Sequence, residues 1–116
     1  MIRVSLEEAS LLLTDWKERG VWIGAWLVLR EDAREEHKFW ARVADLTEEK
    51  LVLAGHNALV ELPFEPGVVC EYSEVTEAPA HLRERFSAYE FCFTIRSQTV
   101  LALLFGERPK TEQKSL

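Results

Sequence analysis

Cysteine, methionine, glycine and proline are all scarce in this chain of 116 residues: two Cys, one Met, five Gly and four Pro. So little glycine and proline excludes a collagen-like or low-complexity chain. Cys70 and Cys92 stand far apart inside the apolar segments Val68-Val69-Cys70 and Phe91-Cys92-Phe93. That placement gives neither a disulfide framework nor paired metal-ligand spacing, and it reads as two reduced, buried thiols. Long hydrophobic runs are missing too. The longest candidate, residues 21–29, ends in Arg30-Glu31-Asp32 without a small-residue cleavage site. It falls well short of the roughly 20 apolar residues a membrane helix needs. No membrane association and a cytoplasmic location are therefore expected. Positive charge is in the minority, with 14 Lys+Arg against 20 Asp+Glu and a net charge of −6. Since nucleic-acid affinity comes largely from neutralising phosphates, nucleic acid is not expected as a partner. Only Arg83, Arg85 and Arg96 are placed to group.

Chemical signatures are equally sparse. There is no Gly-x-Gly-x-x-Gly, no Walker-type Gly-Lys-Ser/Thr and no Gly-x-Ser-x-Gly elbow. His37, His56 and His81 stand alone, without the spacing of a zinc site. Neither a metal nor a cofactor is expected.

What the chain does have is core. Hydrophobic residues make up 47% and charged residues 29%, the mix of one packed domain. Residues 1–107 form that domain, and 108–116, with Pro109 and no apolar pattern, read as a flexible tail. Ser5 and Glu8 have the spacing of a capping box. Leu6, Ala9, Leu12, Leu13 and Trp16 then recur at helical intervals until Gly20 offers a C-cap. A helix over 6–19 follows.

Beyond Gly20 the period shortens to that of strands, at 21–29, 38–46, 51–54, 59–62, 68–75, 89–96 and 100–105. Residues 31–36 read as an exposed hairpin loop between the first two. If His56 and Asn57 form the loop of the third pair, Leu53 faces Val60 and Leu51 faces Leu62. Pro79 opens a short helical turn containing Leu82 and Phe86. The expected fold is α+β and mainly β: an N-terminal helix followed by about seven short antiparallel strands in a small, partly open barrel or strongly bent sheet. This outline is similar to that of the nucleotide-sensing PilZ domains. Their Asp/Asn-x-Ser-x-x-Gly stretch is absent, however, and Arg83 and Arg85 lack their Arg-x-x-x-Arg spacing, so the outline assigns no family.

Two surfaces stand out. With Ser97 and Gln98 as loop residues, Ile95 opposes Val100 and Phe93 opposes Ala102 on the inward face. Leu101, Leu103 and Phe105 are then left on the outer face, a large patch for a monomer to expose. The N-terminal helix is its expected cover and a second copy of the chain the other, so a homodimer is expected. The second surface is a wall of Trp22, Trp26 and Trp40. It could stack a ligand, with Arg42 as a polar anchor, although large aromatics in a small barrel more often fill core. His56, with Glu61 to orient it, is the one candidate general base. An ordinary turn is the plainer reading of His56-Asn57. The sequence therefore points to a noncatalytic module that self-associates and binds a protein or small ligand. The alternative is a small enzyme or metabolite-binding protein with a pocket near His56, Glu61, Arg42 and the tryptophans.

Overall fold

A computed structural model describes residues 2–29 and 36–107. The expected tail at 108–116 and most of the hairpin loop at 31–36 lie outside the described residues. The chain runs β1 (Ile2–Val4), α1 (Leu6–Arg19), β2 (Ile23–Leu29), β3 (Glu36–Leu46), β4 (Lys50–Ala54), β5 (Leu59–Pro63), β6 (Val69–Glu74), a 3-10 turn (Val75–Glu77), α2 (Ala80–Arg85), β7 (Phe91–Arg96) and β8 (Val100–Gly106). The eight strands make one antiparallel sheet in the order β1-β6-β7-β8-β2-β3-β4-β5. The sheet is not closed, so the architecture is the bent, partly open form expected for this pattern.

Helix α1 forms where the capping box places it. The Ser5 hydroxyl accepts from the Glu8 backbone N–H at 3.1 Å, and Gly20 ends the helix in the left-handed region at φ 62°. Its buried residues Ala9, Leu12, Leu13 and Trp16 pack into the concave side of the sheet against Ile23, Leu53, Phe93 and Leu104. Trp16 sits edge-on to Phe91, with ring centroids 6.2 Å apart, and its indole N–H donates to the Glu107 carbonyl. Gly106 makes room for that ring: a Cβ there would lie 2.7 Å from it.

Helix α1 therefore plugs the inside of the sheet. It does not cover the outer face of the last strand, as the sequence led us to expect. That cover is the 75–86 segment. Val75, Ala78, Leu82 and Phe86 close over Trp26, Cys92, Leu103 and Phe105 as a second, smaller core. Phe86 stacks on Phe105 at 4.5 Å and 14°, directly above Gly24, where a Cβ would come within 2.3 Å of the ring. Glycine at position 24 lets an aromatic ring lie flat on the sheet. At about 1.5–3 kcal/mol per large apolar side chain removed from water, Leu82 of the six-residue helix α2 and Phe86 just beyond it contribute most of this cover.

One hairpin has the expected register and the other does not. In β4–β5, Leu51 faces Leu62 and Leu53 faces Val60, as expected from a His56-Asn57 loop. In β7–β8, Ile95 faces Ala102 and Phe93 faces Leu104, not Val100 and Ala102 as expected. The loop is Gln98-Thr99, closed by the Ser97 N–H donating to the Val100 carbonyl and by the Val100 N–H donating to the Ser97 hydroxyl oxygen. Ser97 itself therefore belongs to the closing pair. Because the slip is by an even number of residues, every side chain keeps its face. Cys70 and Cys92 lie on adjacent strands but in different cores, and both are free and buried. Burial pushes their thiols up to about 11 and about 12, respectively.

Candidate functional site

The site grows from one strand that is longer than its neighbours need. β3 has 11 residues, whereas β2 has seven and β4 five. Residues 36–41 of β3 pair with β2, and pairing with β4 begins only at Arg42, opposite Ala54. β4 stops there because Gly55 turns the chain: its N–H donates to the Ala58 carbonyl at 2.9 Å, closing the hairpin around His56 and Asn57. The sheet forks at this point. Between the first half of β3 and the tip of the β4–β5 hairpin lies a cleft of about 790 Å³. Its apolar lining includes Leu27, Phe39 and Val60, and its rim includes Glu36, His37, Lys38, His56 and Asn57. Leu27 and Phe39 point to the concave side, where Phe39 and Val60 lie against the edge of the main core.

The tryptophans occupy the opposite face, and each has an intramolecular neighbour. Trp22 is stacked by His56, with centroids 5.0 Å apart at 24°, while the Arg42 guanidinium lies 5.0 Å from the ring centroid. Trp40 packs edge-on against Phe86 at 5.3 Å and beside Tyr89 at 6.0 Å. The Tyr89 hydroxyl donates to the Trp22 carbonyl. Trp26 is buried under α2, and its indole N–H donates to the Glu36 carboxylate at 3.0 Å. That hydrogen bond holds the Glu36 carboxyl below the usual carboxylate range, with Lys38 and His81 adding to the effect against a smaller opposing effect of burial.

Of the expected site residues, the structure brings His56 and Trp40 to the cleft. It joins Trp22 and Arg42 to His56 on the outer face. Glu61 goes elsewhere: it accepts from Lys50 at 2.8 Å, opposite Val52 in mid-hairpin, and so does not orient His56. This pairing raises the Lys50 pKa. Leu103 and Phe105 are buried against α2, and Leu101 packs at its margin.

Sequence reasoning missed Leu27, Phe39, His37 and Val60 as lining residues, because it followed the tryptophans on the other parity. A usable signal was present. The second strand was clearly longer than the third, and the excess had to overhang. Among the described residues no group of three or more His, Cys, Asp or Glu side chains is placed to hold a metal ion, and no helix is long and apolar enough to cross a membrane. Comparison with protein-family models, with curated proteins and with solved structures found no match.

Proposed function

We propose that this chain is a noncatalytic binding module whose ligand site is the cleft between β3 and the β4–β5 hairpin. The cleft carries the proposal. Its volume of about 790 Å³ falls within the range typical of small-ligand sites. Its lining combines apolar walls with a few polar groups at the rim, which is the usual division between affinity and orientation. The arrangement of the polar residues favours binding over catalysis, since Glu61 is engaged by Lys50 while His56 lies flat against Trp22. Self-association was expected from the outer face of the last strand. With α2 lying on that face, the proposal rests on the cleft alone.

Titration of the ¹⁵N-labelled protein with indole, a small apolar probe, tests the reading. Saturable amide shifts confined to 37–40 and 55–60 are expected. Val60→Glu, which places a charge in the apolar wall, should weaken them by roughly tenfold or more while leaving the rest of the spectrum native. Shifts centred on α2, or none up to the solubility of indole, would rule the site out.

A further inference from the structure

We propose that Trp22, which does not line the cleft, is its positioning residue: the indole holds the tip of the β4–β5 hairpin through His56 and so sets how far Ala58 and Val60 stand from Phe39. This deepens the ligand-site reading and rests on it.

The need for a brace follows from where the ladder ends. β3 and β4 pair from Leu46 and Leu51 up to Arg42 and Ala54, and no further. Beyond that rung the tip closes on itself, with the Gly55 N–H donating to the Ala58 carbonyl. Its contact with β3 is an ordinary van der Waals one. A Cβ on Gly55 would lie 3.6 Å from the Trp40 carbonyl oxygen and 3.9 Å from the Phe39 ring. Contacts of that kind are individually small and have little direction, so they seat the tip without fixing its tilt. Ala58 lies on the tip and Val60 follows two residues later, and both line the cleft. A change of tilt would therefore change its width.

His56 supplies the missing direction. It lines the cleft and also lies face to face with Trp22, with ring centroids 5.0 Å apart at 24°. Stacked rings have a preferred geometry, unlike a simple apolar contact. The indole is well placed to act as an anchor. Trp22 immediately precedes Ile23, which pairs with Ala41 in the sheet, and its carbonyl accepts from the Tyr89 hydroxyl at 3.1 Å. The Arg42 guanidinium lies 5.0 Å from the ring centroid, and Arg42 is also the last β3 residue to pair with β4. The brace thus begins where the ladder stops. Trp22 is 41% exposed and belongs to neither buried core, so filling the interior does not account for its ring.

The test compares Trp22→Leu, which removes the stack, with Trp22→Phe, which keeps an aromatic face. Amide hydrogen exchange at Gly55, whose N–H closes the tip, is read alongside indole affinity. In Trp22→Leu, Gly55 should exchange roughly fivefold faster and indole should bind roughly fivefold more weakly, with exchange at Phe93 and Leu104 unchanged. Trp22→Phe should stay within about twofold of the parent chain in both respects. His56→Ala breaks the same stack from the hairpin side, so combining it with Trp22→Leu should loosen the tip no further. Unchanged exchange at Gly55 or unchanged indole affinity in Trp22→Leu would overturn the proposal and leave the ligand-site reading standing. Absence of indole binding to the parent chain would remove both. Equal acceleration at Gly55, Phe93 and Leu104 would make Trp22 a general stabiliser and overturn its positioning role, as would additive effects of the two substitutions.

Discussion

The outer face over β8 and the notch beside β3 begin as the same problem, an apolar surface that one small sheet does not bury. The chain solves them differently. Over β8, the 75–86 segment returns with Leu82 and Phe86, and Gly24 gives the ring a flat seat between Phe105 and Trp40. Beside β3, the neighbouring strand leaves the sheet at Gly55, and Phe39 and Val60 remain only partly buried. The cover over β8 contributes stability. The notch leaves apolar surface of Phe39 and Val60 uncovered. On this contrast, substitutions in the first region should act on folding and substitutions in the second on binding.

Phe86→Ala should break the comparison hardest. Removing a fully buried ring from between Phe105, Gly24 and Trp40 is expected to cost about 3–5 kcal/mol in denaturant unfolding. Gly24→Ala comes next. Its new Cβ would fall within 2.3 Å of the Phe86 ring, and displacing that ring is expected to cost about 1–3 kcal/mol. Val60→Ala, on the cleft wall, should cost only about 1 kcal/mol because Val60 is half-buried, while measurably changing indole affinity. A loss as large as that of Phe86→Ala would show the notch to be core.

The smallest effect concerns Glu36, which joins the two regions by accepting from Trp26 beneath α2 while lining the cleft rim. Its carboxyl is held below its ordinary value of 4.5, so the stabilisation is present above that value and is lost as pH falls through the lower, folded-state value. Carboxyl-carbon NMR should show a titration midpoint below 4.5, returning towards it in Trp26→Phe. An unchanged midpoint in that variant would remove the Trp26 hydrogen bond as the cause.

Much of the fold was legible locally, and most of the site was not. The capping box, helical period and terminal glycine fix α1 from residues within one segment. The β4–β5 register follows from a two-residue loop. The β7–β8 register was misread because Ser97 looks like a loop residue, whereas its hydroxyl closes the hairpin with Val100. β1 was missed: three residues, Ile2-Arg3-Val4, carry too little period to read, although they pair with Cys70 to Tyr72. The role of α2 and the fork at Gly55 depend on which strands become neighbours across the sheet. Gly24, the one residue of β2 without a side chain, marked in sequence where Phe86 would land.

Amide hydrogen exchange of the free protein at Lys38, compared with Phe93 and Leu104 in the core, tests the central contrast most directly. Lys38 lies in the part of β3 beyond the reach of β4, so its amide should exchange through local motion, at least about a hundredfold faster than core amides that wait for global unfolding. Protection of Lys38 equal to that of Phe93 and Leu104 would mean that this edge of β3 is covered, and it would contradict the account.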